Sequence, residues 1–483
     1  MNTIKDKTPI RFSGIKGIKQ LYYHILESWN PKDTYYIVSA PVFSFTKLEN
    51  FFINKVHSKR ISDRVFIKMI INRNAQNYGL IRKNMPFCQV KFVDIETTAE
   101  YGILNDLLFI VNYGKSPYAV LIKDKDLADT FKTYFELLWA QGRTVKIPPL
   151  VKINKSFDEI IKEYIDKNPT IICDEHNYKK ISKKEFKPIC IRNNNYSNIK
   201  KIKKEINKNK NKIIIGIGGC TALDAARACS NKEIPCILIP TILSTVCISV
   251  DKSVLKVKGE TRTFNTEPPE KVVLSMKEVM KTKRFDLVRW SQAGFGDLFA
   301  KIGASIDVVY RQIKNNNDTM SLDKVRRNIP EVFDAIDYVL DKFNNYNKKD
   351  LESLAVFLHE ASVAIIIQDT FELSGGAEHN LAYILEKKYL SKNRRLEHGI
   401  LVSIGSLIEF KLFEEITGDN SLYKKMRIIY KKLKLPTTYN DLKKIGITKE
   451  YLIKSINDLK GLHTFMSAHS NKAIKLLDII FKK

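Results

Sequence analysis

Three side chains define the chemistry open to this chain: Asp297 in GFGDLFAK, His379 in SGGAEH and His398 in EHG. One carboxylate oxygen and two imidazoles from separate segments would hold a divalent metal and leave coordination positions open, which suits a catalytic rather than a structural ion. Each residue also has a plain structural reading, Asp297 as an N-cap or first-turn helix residue and each histidine as a hydrogen-bonded core group. Tyr383 lies one helical turn beyond His379 on the same face. Its hydroxyl could relay a proton, and a packing role in the interior accounts for it as well.

A second constellation is IIIGIGGCTALDAARA, residues 213–228. A β-branched run ends in a glycine turn (Gly216, Gly218, Gly219) that opens into an alanine-rich helix carrying Thr221 and Asp224, the form in which helix N–H groups are aimed at a phosphate. The sequence does not match GxGxxG, so an ordinary strand-to-helix turn is the alternative. Residues 235–245, PCILIPTILST, end a further strand in hydroxyls at Thr241, Ser244 and Thr245, which would add donors beside the same crevice. Lys252, Lys256, Lys258 and Arg262 either meet a phosphate on the substrate or are solvated cations on an exposed β-hairpin.

The elements that must position these groups can be read along the chain. With 483 residues and 44% hydrophobic content, the chain is long enough for two to four ordinary domains. Residues 34–143 alternate short strands (35–40, 65–72, 90–94, 107–113 and 118–124) with helices, closing in a helix whose Leu127, Phe131, Tyr134, Phe135 and Leu138 share a face. The Pro-Pro pair in residues 145–152 marks a boundary. Strands at 170–175, 188–192, 212–218 and 235–240 then predict a parallel sheet with its ligand crevice at the strand C-termini. From about Asp286 the pattern turns helical. The expected fold class is therefore α/β plus all-α, with domains at 1–147, 148–285 and 286–483.

The formal net charge of +28 is spread over the whole chain, and no nucleic-acid recognition motif accompanies it. Its densest run, residues 199–212, reads as a solvated helix and turn. Nucleic-acid binding is disfavoured, although a basic surface would attract phosphorylated substrates. The absence of a long apolar run or a hydrophobic signal region leads us to expect a cytoplasmic location without membrane insertion. Seven cysteines form no CxxC pair, so neither a disulfide framework nor a zinc knuckle is suggested. Assembly as a homo-oligomer is expected.

The order of motifs over residues 156–483 resembles the metal-dependent dehydrogenase superfamily that includes glycerol dehydrogenase, glycerol-1-phosphate dehydrogenase and iron-containing alcohol dehydrogenase, with the related 3-dehydroquinate synthases. The family's GGG-S/T-x-x-D-x-A-K loop is similar to Gly216, Gly218, Gly219, Thr221 and Asp224, and its P-T-x-x-S strand end to Pro240, Thr241 and Ser244. Its metal ligands correspond to Asp297, His379 and His398. SGGAEH, and HG followed by VSIGSLI, most resemble the glycerol-1-phosphate dehydrogenase branch, and LPTTYNDLKKIGI (435–447) resembles the family's C-terminal phrase. The resemblance implies a Rossmann-like domain binding NAD or NADP and a helical, dehydroquinate synthase-like domain binding one Zn or Fe ion. The implied reaction interconverts a hydroxyl and a ketone on a small polyol or polyol phosphate. Cys220 replaces the third glycine, Arg227 the lysine, Val246 an acidic residue, Tyr383 a second histidine and Ile400 a glutamate.

Residues 9–143 resemble the effector-sensing domain of TrmB-type archaeal regulators, a phospholipase D-like α/β fold, through residues 9–26 and 119–142. His57, Lys59 and Asp63 approximate a phospholipase H-x-K-x-x-x-x-D motif one residue too short, so a ligand-binding or docking role without phosphodiesterase chemistry is expected. Two other readings stay open. One is a dehydroquinate synthase-like sugar phosphate cyclase; the other is a non-catalytic regulatory protein that binds a nucleotide and a small ligand.

Overall fold

The computed structural model describes residues 8–482 except 32, 39–47, 73–74, 94, 96, 98, 115, 143–144, 182–185, 209–211, 317–318 and 391–395. The chain divides into two compact units, Met1–Lys146 and Ile147–Lys483. The boundary falls at the Pro-Pro segment.

The first unit is built on a seven-stranded sheet of β1 (Ile10–Ser13), β2 (Thr34–Val38), β3 (Phe66–Asn72), β4 (Cys88–Val93), β5 (Ala99–Leu104), β6 (Leu107–Asn112) and β7 (Tyr118–Lys123), in the order β1-β7-β6-β5-β2-β3-β4. Only β2-β3-β4 pair in parallel; β5, β6 and β7 form an antiparallel meander. This corrects the expected alternation of strand and helix. Asn105, in the left-handed conformation at φ 55°, closes the turn between β5 and β6, so no helix intervenes. The expected strands at 35–40 and 90–94 end in positions 39–40 and 94, which lie outside the described residues. Helix Lys125–Gln141 buries Ala128 and Phe135 against the sheet and is capped by Asp124, which accepts from the backbone N–H groups of Asp126 and Leu127.

The second unit opens with a six-stranded sheet, wholly parallel, of β8 (Leu150–Ile153), β9 (Pro169–Asp174), β10 (Ile189–Ile191), β11 (Ile213–Gly218), β12 (Cys236–Pro240) and β15 (Lys271–Ser275), in the order β10-β9-β11-β12-β15-β8. Every residue of β11 and β12 is buried, as a strand covered on both faces requires. The chain leaves β9 in one direction, to β10, and β11 in the other, to β12, which places the topological switch point between the C-terminal ends of β9 and β11, where the glycine loop lies. A hairpin of β13 (Lys252–Val257) and β14 (Glu260–Asn265) follows β12. The charge run is the helix Tyr196–Lys208, with Ile199 and Ile206 buried and Lys200, Lys201 and Lys204 exposed.

From Arg284 onward the unit is helical. Helix His398–Thr417 is its axis: every residue from Gly399 to Phe413 is buried, so the helix is covered on all sides. The 33-residue helix Arg284–Asn316, helix Ala377–Leu390 and helix Ser470–Ile480 pack around it. No helix among the described residues is long and apolar enough to cross a membrane.

Candidate active site

Asp297, His379 and His398 converge. Their ligand atoms all lie within 4.8 Å of one another, with His379 Nε2 3.4 Å from Asp297 Oδ1 and the two imidazole centroids 5.2 Å apart. Asp297 sits in the middle of helix Arg284–Asn316, so the first-turn reading is excluded. His379 lies in the first turn of helix Ala377–Leu390, and His398 begins helix His398–Thr417. The glycines of GFGD and HG allow close backbone approach at the ligands, between two of these helices and to the segment after β12. A Cβ on Gly296 would collide with the Gly399 carbonyl, and one on Gly294 with the Leu243 carbonyl. Only residues without a side chain permit that approach.

The surroundings of the three groups fit a metal. His379 Nδ1 is 2.8 Å from Glu378 Oε1 and His398 Nδ1 is 2.5 Å from Glu386 Oε1. A carboxylate on one ring nitrogen fixes the tautomer and leaves the Nε2 lone pair for an ion. Asp297 Oδ2 accepts from the Val246 backbone N–H at 2.8 Å, while Oδ1 faces His379. Burial on its own would lower the His379 pKa, but hydrogen bonds and charge from Asp297 and Glu378 outweigh it and raise the imidazole to about 10. Burial likewise pushes Asp297 upward, and the two imidazoles hold it below the usual carboxylate range. Anionic character is thus concentrated where a cation would bind.

Tyr383 reaches the same place, its ring centroid 5.3 Å from His398 and 6.4 Å from His379. The residue is 44% exposed, so it is not an interior packing tyrosine. Desolvation and the Glu386 carboxylate nonetheless push its phenol up to about 12.

The glycine loop borders a cleft of about 380 Å³ at the strand C-termini, lined by Asp174, Asn177, Lys180, Thr221, Thr241 and Trp290 among others. Gly216 lets helix Cys220–Cys229 pack on β11, since a Cβ there would meet Ala226 Cβ at 2.5 Å. Gly218, at φ 148°, lies under the Asp174 carboxylate, which accepts from the Gly219 N–H at 3.1 Å. Thr221 and Thr241 face the cleft, and Thr241 Oγ1 accepts from Asn177 at 3.3 Å. Ser244 is half-buried on the segment leading to Val246. Trp290 lines the cleft and lies seven residues before Asp297, two turns away on the same face of one helix.

Other side chains of the motifs turn inward. Asp224 is 1% exposed and pairs with Arg227 at 2.5 Å; Arg227, wholly buried, also donates to the Cys247 carbonyl at 2.9 Å. The Cys220 thiol donates to Asp224 Oδ2 at 3.2 Å, and burial together with that carboxylate holds it well above the ordinary thiol range. It is therefore not a reactive thiolate. Lys252 corrects the solvated-hairpin expectation: it is buried and paired with Asp251 at 3.1 Å and Asp369 at 3.2 Å, whereas Lys256, Lys258 and Arg262 are exposed. Sequence reasoning missed Asp174, Asn177, Trp290, Glu378 and Glu386. Only Glu378, inside the E-H dipeptide, and Glu386, two turns beyond His379, carried a readable signal.

The second unit thus holds a glycine-loop cleft at the strand C-termini of a parallel sheet and an Asp-His-His set in its helical part. Residues 158–281 match the family model described as iron-containing alcohol dehydrogenase. The chain is similar to two curated proteins named glycerol-1-phosphate dehydrogenase [NAD(P)+]. It is 28% identical to that of Nitrosopumilus maritimus over 271 residues, 55% of this chain and 70% of the relative. The protein from Thermoplasma volcanium is 23% identical over 265 residues, 54% of this chain and 70% of the relative. The fold matches that of a probable glycerol dehydrogenase from Sinorhizobium meliloti, with a TM-score of 0.52 at 17% identity, covering 70% of this chain and 98% of that one.

Proposed function

We propose that the second unit is an NAD(P)-linked, metal-dependent dehydrogenase that interconverts a hydroxyl and a ketone on a small polyol phosphate, glycerol 1-phosphate being the first candidate. The observation that carries this reading is the convergence of Asp297, His379 and His398, each braced by a further hydrogen bond. A Zn or Fe ion on these three residues would supply Lewis-acid polarisation of the substrate oxygen, and a nicotinamide in the cleft would exchange the hydride. The relatives' names support the substrate class.

The chain's own groups then have definite tasks. Gly218, Gly219, Thr221, Thr241 and Ser244 offer a close backbone approach and hydroxyls to the pyrophosphate and nicotinamide. Asp224 acts indirectly, holding Arg227 and through it the Cys247 carbonyl, so it shapes the loop that bears Val246. With its phenol near 12, Tyr383 stays protonated at neutral pH and donates a hydrogen bond to the substrate oxygen. Exposed Lys256, Lys258 and Arg262 are available to a substrate phosphate.

For the first unit we infer a ligand-binding or docking role, supported by its resemblance to TrmB-type sensor domains. Phosphodiesterase chemistry is not part of the reading, because Lys59 and Asp63 pair with each other at 2.8 Å while His57 is buried and 3.4 Å from Arg60.

The test is metal content and turnover in wild type and His379→Ala, with glycerol 1-phosphate, glycerol and a 7-carbon sugar phosphate against both nicotinamides. Loss of bound metal together with loss of NAD(P)H turnover is expected. Unchanged metal occupancy in the variant would overturn the assignment, and free phosphate without net NADH would select the cyclase reading instead.

A further inference from the structure

A second group of ligand atoms lies outside the Asp-His-His set. Asp307 of helix Arg284–Asn316, Glu378 of helix Ala377–Leu390 and Glu409 of helix His398–Thr417 place carboxylate oxygens within 4.8 Å of one another. All three are at most 1% exposed. No ion pair with Lys or Arg reaches any of them among the described residues.

Their hydrogen bonds show which oxygens are left over. Asp307 accepts from the Phe465 N–H at 2.6 Å and the Ala377 N–H at 2.8 Å, and Glu378 Oε1 accepts from the Gly376 N–H and His379 Nδ1, both at 2.8 Å. Burial and the neighbouring Glu378 carboxylate push Asp307 up to about 7 against its two backbone donors. Glu378 Oε2 and both oxygens of Glu409 are buried and accept from no N–H or hydroxyl donor among the described residues, and the two carboxylates lie within hydrogen-bonding reach of each other. A proton shared between two of these oxygens would still leave a third unsatisfied, and a buried unsatisfied acceptor costs about 1–3 kcal/mol.

Glycines let the carboxylates approach the helix backbones at this point. A Cβ on Gly376 would stand 2.5 Å from Asp307 Oδ2 and 2.7 Å from Glu378 Oε2. A Cβ on Gly303 would collide with Glu409 Oε2 and lie 3.0 Å from Glu378 Oε2. Three buried carboxylates converge here from three helices with the His379 imidazole on one of them as the only cationic partner among the described residues, and a bound cation would offset the remaining charge. Because every donor is an oxygen, with no imidazole or thiolate, the set selects a hard cation over zinc.

We propose that Asp307, Glu378 and Glu409 bind one hard divalent cation, Mg²⁺, Mn²⁺ or Ca²⁺, distinct from the ion on Asp297, His379 and His398. This cation pins the three central helices to one another. Glu378 is the bridge, with Oε1 on His379 and Oε2 on the second ion, so the outer site also fixes the orientation of a ligand of the first.

The test uses the full-length protein, stripped with a chelator and titrated separately with Mg²⁺, Mn²⁺ and Ca²⁺ by calorimetry and thermal melting. Wild type is expected to take up one equivalent of Ca²⁺ or Mg²⁺ with a saturable rise in Tm. Asp297→Asn, which disarms the other site, is expected to keep that equivalent, and Glu409→Gln is expected to lose it. Unchanged uptake in folded Glu409→Gln overturns the proposal. So does the absence of uptake of all three ions by folded Asp297→Asn, a reading that holds even if Glu409→Gln fails to fold. Ca²⁺ uptake is independent of Zn or Fe content, so failure of the dehydrogenase reading and failure of this one are read separately.

Discussion

Gly399 packs directly on the carbonyl of Ala293, so closely that a Cβ at Gly399 would overlap that oxygen, and its own carbonyl touches Gly296 in return. This contact sits between His398 and Asp297. It sets the spacing of two metal ligands that come from different helices, and the obstacle is backbone, which cannot swing aside. Gly399→Ala is expected to cost about 1–3 kcal/mol, as overpacking does, and to lower metal occupancy as the helices part. Urea denaturation and metal analysis on the same preparation check it. A destabilised variant that retains full occupancy would show that the glycine contact serves packing alone.

Glu386 bonds His398 at 2.5 Å from two turns along the helix that carries His379. If it orients the imidazole, Glu386→Ala should weaken metal affinity by about 10–100-fold with little loss of stability, the usual consequence of removing such a partner. Glu386→Gln, which can still accept a hydrogen bond, should recover part of it. Competition with a chromophoric chelator measures the affinity; equal values for wild type and Glu386→Ala would remove Glu386 from the site.

The ligand set was legible because imidazoles and a carboxylate in glycine-flanked motifs are scarce, and the β11 loop because an apolar run ending in glycines has few alternatives. The supports were not. Asp174, Asn177 and Glu386 are common polar residues whose roles depend on a strand C-terminus or a helix face, and nothing in the chain order shows which face meets the site. β5 was unreadable for a related reason: AEYGIL contains Gly102, needed because a Cβ there would run into the Phe109 ring on β6. Lys252 misled because composition places lysine outside, while the partners Asp251 and Asp369 that draw it inward include one 117 residues away.

Arg227 and Asp224 form a pair that is 0% and 1% exposed in the helix following the glycine loop. Breaking it leaves a buried charge, so Arg227→Ala is expected to cost about 3–5 kcal/mol, whereas replacing both partners with apolar residues of similar size, Arg227→Met with Asp224→Leu, should recover most of that. Because Arg227 also holds the Cys247 carbonyl, the apolar double variant should bind NADH more weakly even when it folds well. Equilibrium denaturation and NADH fluorescence titration separate the two effects. A cost below about 1 kcal/mol for Arg227→Ala would mean that water reaches the pair.

His359 connects the segment bearing Val246 to helix Lys348–Gln368. Its Nδ1 lies 2.8 Å from Ser249 Oγ, and Ser362 of the same helix receives the Ser249 N–H at 3.2 Å. Burial pushes the imidazole down to about 4 from an ordinary value of 6.5. Between those values the unfolded chain holds a proton that the folded protein does not, so stability rises with pH across the window. The contribution is fully present above about pH 6.5, is lost as pH falls toward 4, and declines no further below it. The Ser249 contact lies three residues from Val246, whose N–H holds Asp297, so acid should loosen the metal site through this loop before the fold fails. His359→Asn, which keeps a hydrogen-bonding group but cannot be protonated in this range, is expected to flatten the acid limb and retain metal at pH 5. Urea midpoints at pH 7, 5.5 and 4.5 for both proteins check the prediction; parallel curves would assign the acid sensitivity to other groups.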